Sequence, residues 1–351
     1  MAGSRLTAKR LEPLLDVTEL APDADRRAAA HVRDFAARYA PCAHLDLGNV
    51  CNLGCVYCGL DRAQATFAST RTVIATLEAA RATGLTRLAL VGGEPTVRRD
   101  LVALVAAARG HGFDRVVLTT NGLLLANGDL LERLLDAGLT SVHLSLDDYD
   151  DARLCALARH PQAGRLVLQA VQRLLTTPAL GLFLYAVLVP ATLPHVAGLV
   201  EQVHAWSASR GAPVPLVMTA PKPIGRAWER RDEVLAEPAA LGATVSEAHA
   251  RAAVLGVPTL HRNLPDCLVP DWRDRAFEAA LVERRRRLSD GERVPAERSD
   301  QDRKGPPCAA CGAAATCAGV PERLVERFGW SPYSSLPAEL ADGPTPARRD
   351  P

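Results

Sequence analysis

Three cysteines stand in Asn49-Val50-Cys51-Asn52-Leu53-Gly54-Cys55-Val56-Tyr57-Cys58, spaced C-x3-C-x2-C, with no fourth cysteine close by. Three thiolates on one short loop suit an iron–sulfur cube in which one iron lacks a protein ligand. Such an iron can bind a small molecule, which turns an electron carrier into a catalyst. A zinc knuckle is the competing reading, but a structural zinc site closes with four ligands. The nearest histidine, His44, lies upstream on an apparent strand. Further along, the apolar run Leu88-Ala89-Leu90-Val91 leads into Gly92-Gly93-Glu94-Pro95-Thr96. Two residues without Cβ let the backbone approach a ligand closely. Glu94 adds a carboxylate that accepts a charge-assisted hydrogen bond from an ammonium group. The plainer alternative is an ordinary turn.

A second cysteine group lies near the other end. Cys308, Cys311 and Cys317 form C-x2-C-x5-C, with Cys267 well upstream. Four cysteines would close a second [4Fe–4S] cluster with no open iron. A four-thiolate zinc site on the C-x2-C knuckle is the alternative. Cys267 can also be read as a hydrogen-atom donor, which leaves an open iron for substrate. Cys42 and Cys155 read as single packing cysteines. The nine histidines show no H-x3-H spacing. Asp266, beside Cys267, is a candidate acid or base, or simply a turn former.

Taken in this order, the cysteine loop and the Gly-Gly-Glu turn resemble the radical S-adenosylmethionine (SAM) superfamily, over about residues 43–330. The resemblance implies that Cys51, Cys55 and Cys58 hold a [4Fe–4S] cluster whose open iron chelates the amino and carboxylate groups of SAM. It implies that Gly92, Gly93 and Glu94, followed by Pro95, hold the SAM amino group, and that Tyr57 packs near the adenine. Ser145 and Asp147 would contact the ribose and methionine, although Asp147 or Asp148 could equally cap a helix. Thr120 and Asn121 would line the cavity, although Asn121-Gly122 is also a plain turn signal. Arg159 and Arg165 are candidate carboxylate binders, and Pro221 to Ala227 resembles a segment near the adenine. The second cysteine group resembles the auxiliary-cluster "twitch" subdomain, so Cys267, Cys308, Cys311 and Cys317 would hold a second [4Fe–4S] cluster.

The activity so implied is reductive cleavage of SAM to a 5′-deoxyadenosyl radical that abstracts a hydrogen atom. The expected outcome is an oxidation or crosslink in a peptide, protein or natural-product pathway. The alternative is modification of a small metabolite, a sugar or nucleoside, with structural zinc in place of the second cluster. The partners expected are a one-electron reductant of flavodoxin or ferredoxin type and a peptide or small-molecule substrate. A scaffold without turnover should carry a broken Gly-Gly-Glu turn, and here the turn is intact. The short segment before the barrel argues against a cobalamin or leader-peptide domain. The cysteine spacing and the Arg348-Arg349-Asp350-Pro351 end argue against the molybdenum-cofactor GTP cyclase.

The elements that must position these residues alternate strand and helix. Apolar runs end at Leu47, Val91, Thr119, Leu146, Val189 and Met218. Helical patterns open at Thr70, capped by Ser69 or Thr70, and run over 100–108, 129–138, 164–175 and 195–209. Such alternation predicts a parallel sheet with right-handed crossovers, and the resemblance makes it a partial (β/α)6 barrel with a small cysteine-rich C-terminal subdomain. Ligands of parallel α/β folds sit beyond the carboxyl ends of the strands, where most of the residues named above fall. The expected organisation is a helical extension over 1–42, the barrel over 43–255 and an auxiliary-cluster subdomain over 256–335. A polar linker occupies about 284–304, and a disordered tail covers 336–351.

Composition sets outer limits. The chain has 351 residues, 48% hydrophobic and 23% charged, with a formal net charge of +1. That is an ordinary globular balance, and it favours neither nucleic acid nor an anionic membrane as partner. No apolar signal segment or run of about 18 uncharged residues is present, and the clustered cysteines read as metal ligands of a cytoplasmic protein.

Overall fold

The computed structural model describes residues 42–60, 65–82, 84–277, 302–315 and 317–338. The helical extension expected before residue 42, most of the linker at 284–304, the tail beyond 338 and the side chain of Cys42 lie outside the described residues. The strands are β1 (Cys42–Asp46), β2 (Arg87–Val91), β3 (Arg115–Thr120), β4 (Ser141–Ser145), β5 (Gly181–Val187), β6 (Leu216–Thr219) and β7 (Thr259–Arg262). They form one seven-stranded sheet in chain order, β1 to β7, not closed into a barrel. Strands β1 to β4 pair in parallel, as do β6 and β7. The chain divides into two compact units, with 42–55 and 60–184 in the first and 56–59 and 185–338 in the second among the described residues.

In the first unit β2 and β3 are nearly continuous apolar runs, as strands covered on both faces require, whereas β1 alternates buried and half-buried residues. Leu88, Ala89 and Leu90 of β2 are buried, as are Val116, Val117 and Leu118 of β3. Helices α1 (Thr70–Ala82), α2 (Leu101–Gly110), α3 (Leu130–Asp136), α4 (Asp151–Ala158) and α5 (Ala163–Leu175) follow the strands. Ser69 caps α1, accepting from the Thr72 N–H at 3.1 Å. The cap of α4 is neither Asp147 nor Asp148. Asp150 accepts from the Arg153 N–H at 2.9 Å, while Asp148 takes the Arg153 guanidinium at 2.7 and 2.8 Å.

The second unit carries α6 (Val196–Arg210), α7 (Arg226–Glu229), α8 (Arg231–Val234) and α9 (Pro238–Leu255) before β7. Strand β7 extends the sheet beyond the expected boundary at residue 255 and makes seven strands where six were expected. Its sequence, Thr-Leu-His-Arg, hides it, because its buried polar residues pair with other buried polar groups, although His261 Nε2 meets no partner among the described residues. The Thr259 hydroxyl lies 2.8 Å from His249 Nδ1, and His249 Nε2 lies 2.9 Å from His261 Nδ1. Arg275 donates to the same hydroxyl at 2.9 Å and stacks over Trp272, 4.6 Å from its centroid.

Burial, and then the Arg275 charge, lowers His261 from 6.5 to about 3. Burial also holds His249 well below its ordinary value, with His261 and Arg275 adding to the effect. The unfolded chain therefore takes up protons below pH 6.5 that the folded chain refuses. This contribution is fully present above that pH and is lost as pH falls toward the folded value. It amounts to about 5 kcal/mol for His261. His261→Gln is expected to flatten the acid limb of a urea-midpoint curve, and an unchanged limb would count against the assignment.

Strands β8 (Asp302–Arg303) and β9 (Val320–Pro321) pair antiparallel and close the base of the segment carrying Cys308, Cys311 and Cys317. Helix α10 (Glu322–Phe328) follows. Among the described residues, no helix is long and apolar enough to cross a membrane.

Candidate functional site

In the first unit the cysteine loop leaves β1 and lies directly on the turn that leaves β2. The Gly93 N–H donates to Gly48 O at 2.7 Å, and the Glu94 N–H to Val50 O at 2.8 Å. Contact this close is why both positions are glycine. Gly92 sits at φ +139°, where a Cβ would come 2.5 Å from Gly48 O. A Cβ on Gly93 would come 2.2 Å from Val50 O. The two glycines thus make room for the cysteine loop itself. Further ties fix the loop along its length. Asn49 Oδ1 accepts from the Thr66 N–H at 2.7 Å. Asn52 Oδ1 accepts from Asn121 Nδ2 at 2.8 Å, and the Gly54 N–H donates to Ala158 O at the end of α4 at 3.0 Å.

Glu94 is buried to 1% exposure and its carboxylate is turned inward. Oε1 accepts from the Thr96 N–H at 3.0 Å and from the Thr120 hydroxyl at 2.6 Å, and also from the Thr96 hydroxyl. Oε2 accepts from the Asn121 N–H at 2.7 Å. Glu94 therefore locks the β2 turn to the β3 turn. Burial raises its pKa, and the four hydrogen bonds from Asn121, Thr120 and Thr96 oppose that rise. Pro95 is buried at the start of the short 3-10 turn that Glu94 caps.

Two residues that carried no sequence signal hold this frame from behind. Arg98 is buried, with Nη1 donating to Ala68 O at 2.7 Å and Leu47 O at 3.3 Å. It grips Asp100 through two bonds of 2.9 and 2.8 Å. Asp100 also accepts from the Thr70 hydroxyl at 2.6 Å, and the Arg98 hydrogen bonds hold its carboxyl below the ordinary value. This network ties the exit of the cysteine loop to the β2 turn. Ser145 is half-buried at the end of β4 and Asp147 is buried just beyond it. Arg159 and Arg165 are exposed, and Arg159 ends α4 in the left-handed region at φ 52°.

The second unit holds the third cysteine of the motif. Cys58 O accepts from the Arg226 N–H at 3.0 Å, so the Pro221–Ala227 segment fixes the stretch that also carries half-buried Tyr57.

The same unit gathers the C-terminal cysteines. Cys267, Cys308, Cys311 and Cys317 all line one recess that opens to solvent, together with Asp266 and Lys304. Backbone N–H groups already face three of the four sulfurs. Leu336 donates to Cys311 Sγ at 3.4 Å, Ser334 faces Cys267, and Asp266 and Gly319 face Cys317. Burial pushes the Cys317 thiol up to about 12 and also raises Cys267. Thiols so buried ionise only with a cation beside them. Cys155, by contrast, stands apart, 3.2 Å from Asp151 Oδ1. Among the described residues, no three His, Cys, Asp or Glu side chains stand close enough to hold a single metal ion.

The donor sets fit iron–sulfur chemistry. Half-buried thiols share a loop or a recess, and main-chain donors face their sulfurs, including the Leu53 N–H at 3.4 Å from Cys51 Sγ. Hydrogen bonds of this kind tune such clusters.

Comparison with known proteins gives the same fold. Residues 45–176 match the radical SAM superfamily model. The GTP 3′,8-cyclase of Erythrobacter litoralis is 35% identical over 142 residues, 38% of this chain and 41% of that protein. The GTP 3′,8-cyclase of Synechococcus elongatus is 41% identical over 133 residues, covering 36% and 38%. That of Paenarthrobacter nicotinovorans is 31% identical over 215 residues, 58% of each chain. The chain thus spans about two fifths of the length of the first two relatives. Among solved structures, Streptococcus suis SuiB bound to S-adenosylmethionine matches with TM-score 0.51 and 15% identity, over 62% of this chain and 49% of that one. SuiB bound to precursor peptide SuiA gives TM-score 0.52 at 15% identity, over 62% and 48%. These two likenesses concern the fold.

Proposed function

We propose, for a chain whose residues 45–176 belong to the radical SAM superfamily, that it cleaves SAM reductively and abstracts a hydrogen atom from a small molecule, with a nucleotide as the first substrate class to test. When bound, the cluster and SAM supply a 5′-deoxyadenosyl radical; binding and orientation are the protein's share. Cys51, Cys55 and Cys58 hold the cluster. The Gly92–Pro95 turn, Tyr57, Asn121, Ser145 and Asp147 form the SAM pocket, with Glu94 acting from behind as the lock between two strand-end turns. Cys267, Cys308, Cys311 and Cys317 hold a second [4Fe–4S] cluster. An external one-electron reductant, of flavodoxin or ferredoxin type, completes the system.

The observation that carries the chemistry is the seating of the cysteine loop on the Gly-Gly-Glu turn. The substrate class rests on the relatives' name, GTP 3′,8-cyclase. It turns the reading away from the peptide oxidation or crosslink expected first and toward the small-metabolite alternative, and it reopens the cyclase comparison that the cysteine spacing argued against.

The test is anaerobic reconstitution followed by incubation with SAM and dithionite. Candidate substrates are added in turn, first nucleoside triphosphates, then sugars, then peptides. Release of 5′-deoxyadenosine stimulated by a nucleotide is the expected result. Stimulation by peptides alone would restore the peptide reading. No release from iron-loaded protein would sink the enzyme assignment.

A further inference from the structure

Tyr333 is 4% exposed, yet its hydroxyl meets no hydrogen-bond partner among the described residues. A buried hydroxyl left unpaired is costly, and phenylalanine would fill the same space without that cost. The side chain therefore makes physical sense only if something entering the fold accepts from it. Its surroundings say what. Tyr333 lines the recess shared by Cys267, Cys308, Cys311 and Cys317. It also lines an adjoining apolar recess walled by Leu235, Leu241, Leu264, Leu268, Leu324 and Phe328, which offers no charged group. Asp266 and Ser334 of the cysteine recess and Asn263 of the apolar one carry oxygen acceptors, but none of them bonds the phenol; the four sulfurs are the acceptors that an entering metal would bring into play. The next residues along the chain already behave in this way, with Ser334 and Leu336 aiming N–H groups at Cys267 and Cys311.

Resting on the second-cluster reading, we propose that the Tyr333 hydroxyl donates a hydrogen bond to a metal-bound sulfur in this recess and thereby raises the reduction potential of the second cluster. A hydrogen bond to sulfur stabilises the more negative, reduced state. Tyr333 is a positioning and tuning residue, with no part in bond breaking.

The experiment uses the full chain carrying Cys51→Ala, Cys55→Ala and Cys58→Ala, which leaves only the C-terminal group to hold metal. Iron and sulfide are counted after anaerobic reconstitution, with and without Tyr333→Phe, and the midpoint potential is followed by EPR. About four irons are expected in both proteins. The phenylalanine variant should have a lower potential, by about tenfold in the reduction equilibrium, ~59 mV for one electron. In the metal-free chain the same substitution should leave the melting temperature unchanged or higher, because the unpaired hydroxyl is gone. Four irons with equal potentials would overturn the proposal alone. A lower metal-free melting temperature would also overturn it, since the hydroxyl would then have a protein partner. No iron in the parent variant would overturn the second-cluster reading, and this proposal with it.

Discussion

Gly93→Ala is expected to empty the first cluster site. The added Cβ would stand 2.2 Å from Val50 O and 2.7 Å from its carbonyl carbon. Both are main-chain atoms of the cysteine loop, so no side chain can swing aside to relieve the contact. The loop must lift, breaking the Gly93 to Gly48 and Glu94 to Val50 hydrogen bonds. Overpacking of this kind costs about 1–3 kcal/mol, and displacement of reacting groups by ~1 Å costs on the order of a hundredfold in rate. Iron per chain should fall by about four, and 5′-deoxyadenosine release should fall by roughly a hundredfold or more. Gly110→Ala is the control. Gly110 ends α2, and nothing lies within 4 Å of a Cβ built there. If Gly93→Ala retained its iron and its rate, the turn would not be the seat of the loop.

Glu94→Gln is expected to loosen SAM binding without emptying the cluster. The amide oxygen can keep the three bonds now made to Oε1, but the amide nitrogen then faces the Asn121 N–H. Two donors opposed in a buried place cost about 1–3 kcal/mol. Flipping the amide is worse, because three donors lose their acceptor. The strain falls on the β3 turn, where Asn121 also holds Asn52 of the cysteine loop. A tenfold weaker SAM affinity, ~1.4 kcal/mol, is expected by equilibrium binding, together with a lower urea midpoint. Glu94→Ala leaves all four donors unmet and should be worse on both readouts. Unchanged affinity in both variants would mean that the lock between the two turns does not shape the pocket.

Both results turn on a distinction that residue types alone do not draw. Gly92, Gly93 and Glu94 are read from sequence as parts that face a ligand. In the fold, the glycines face the cysteine loop and the carboxylate faces three neighbouring residues. The motif is legible because it is local in sequence, while its immediate partners are not. Thr120 and Asn121 come from a different strand, and Arg98 reaches back to the carbonyls of Leu47 and Ala68. A lone arginine after a turn has no periodicity or spacing to mark it. The same holds for Ser334 and Leu336, whose contribution is a main-chain N–H, a group every residue but proline carries.

The sequence by itself determined the chemistry on offer. Thiol count and spacing point to metal-cluster ligands whatever surrounds them, and alternating apolar strands and helices predict a parallel sheet. Strand β7 escaped because its burial depends on Thr259, His249, His261 and Arg275 satisfying one another across sequence separations of 10 to 16 residues. Only the tertiary structure decided which groups are spent on holding the frame. Hydrogen-bond saturation and close contact are properties of neighbours brought together by folding. For that reason Glu94 emerges as a lock, Asp150 as the helix cap, and the Tyr333 hydroxyl as a buried donor beside the cysteine recess that meets no acceptor among the described residues.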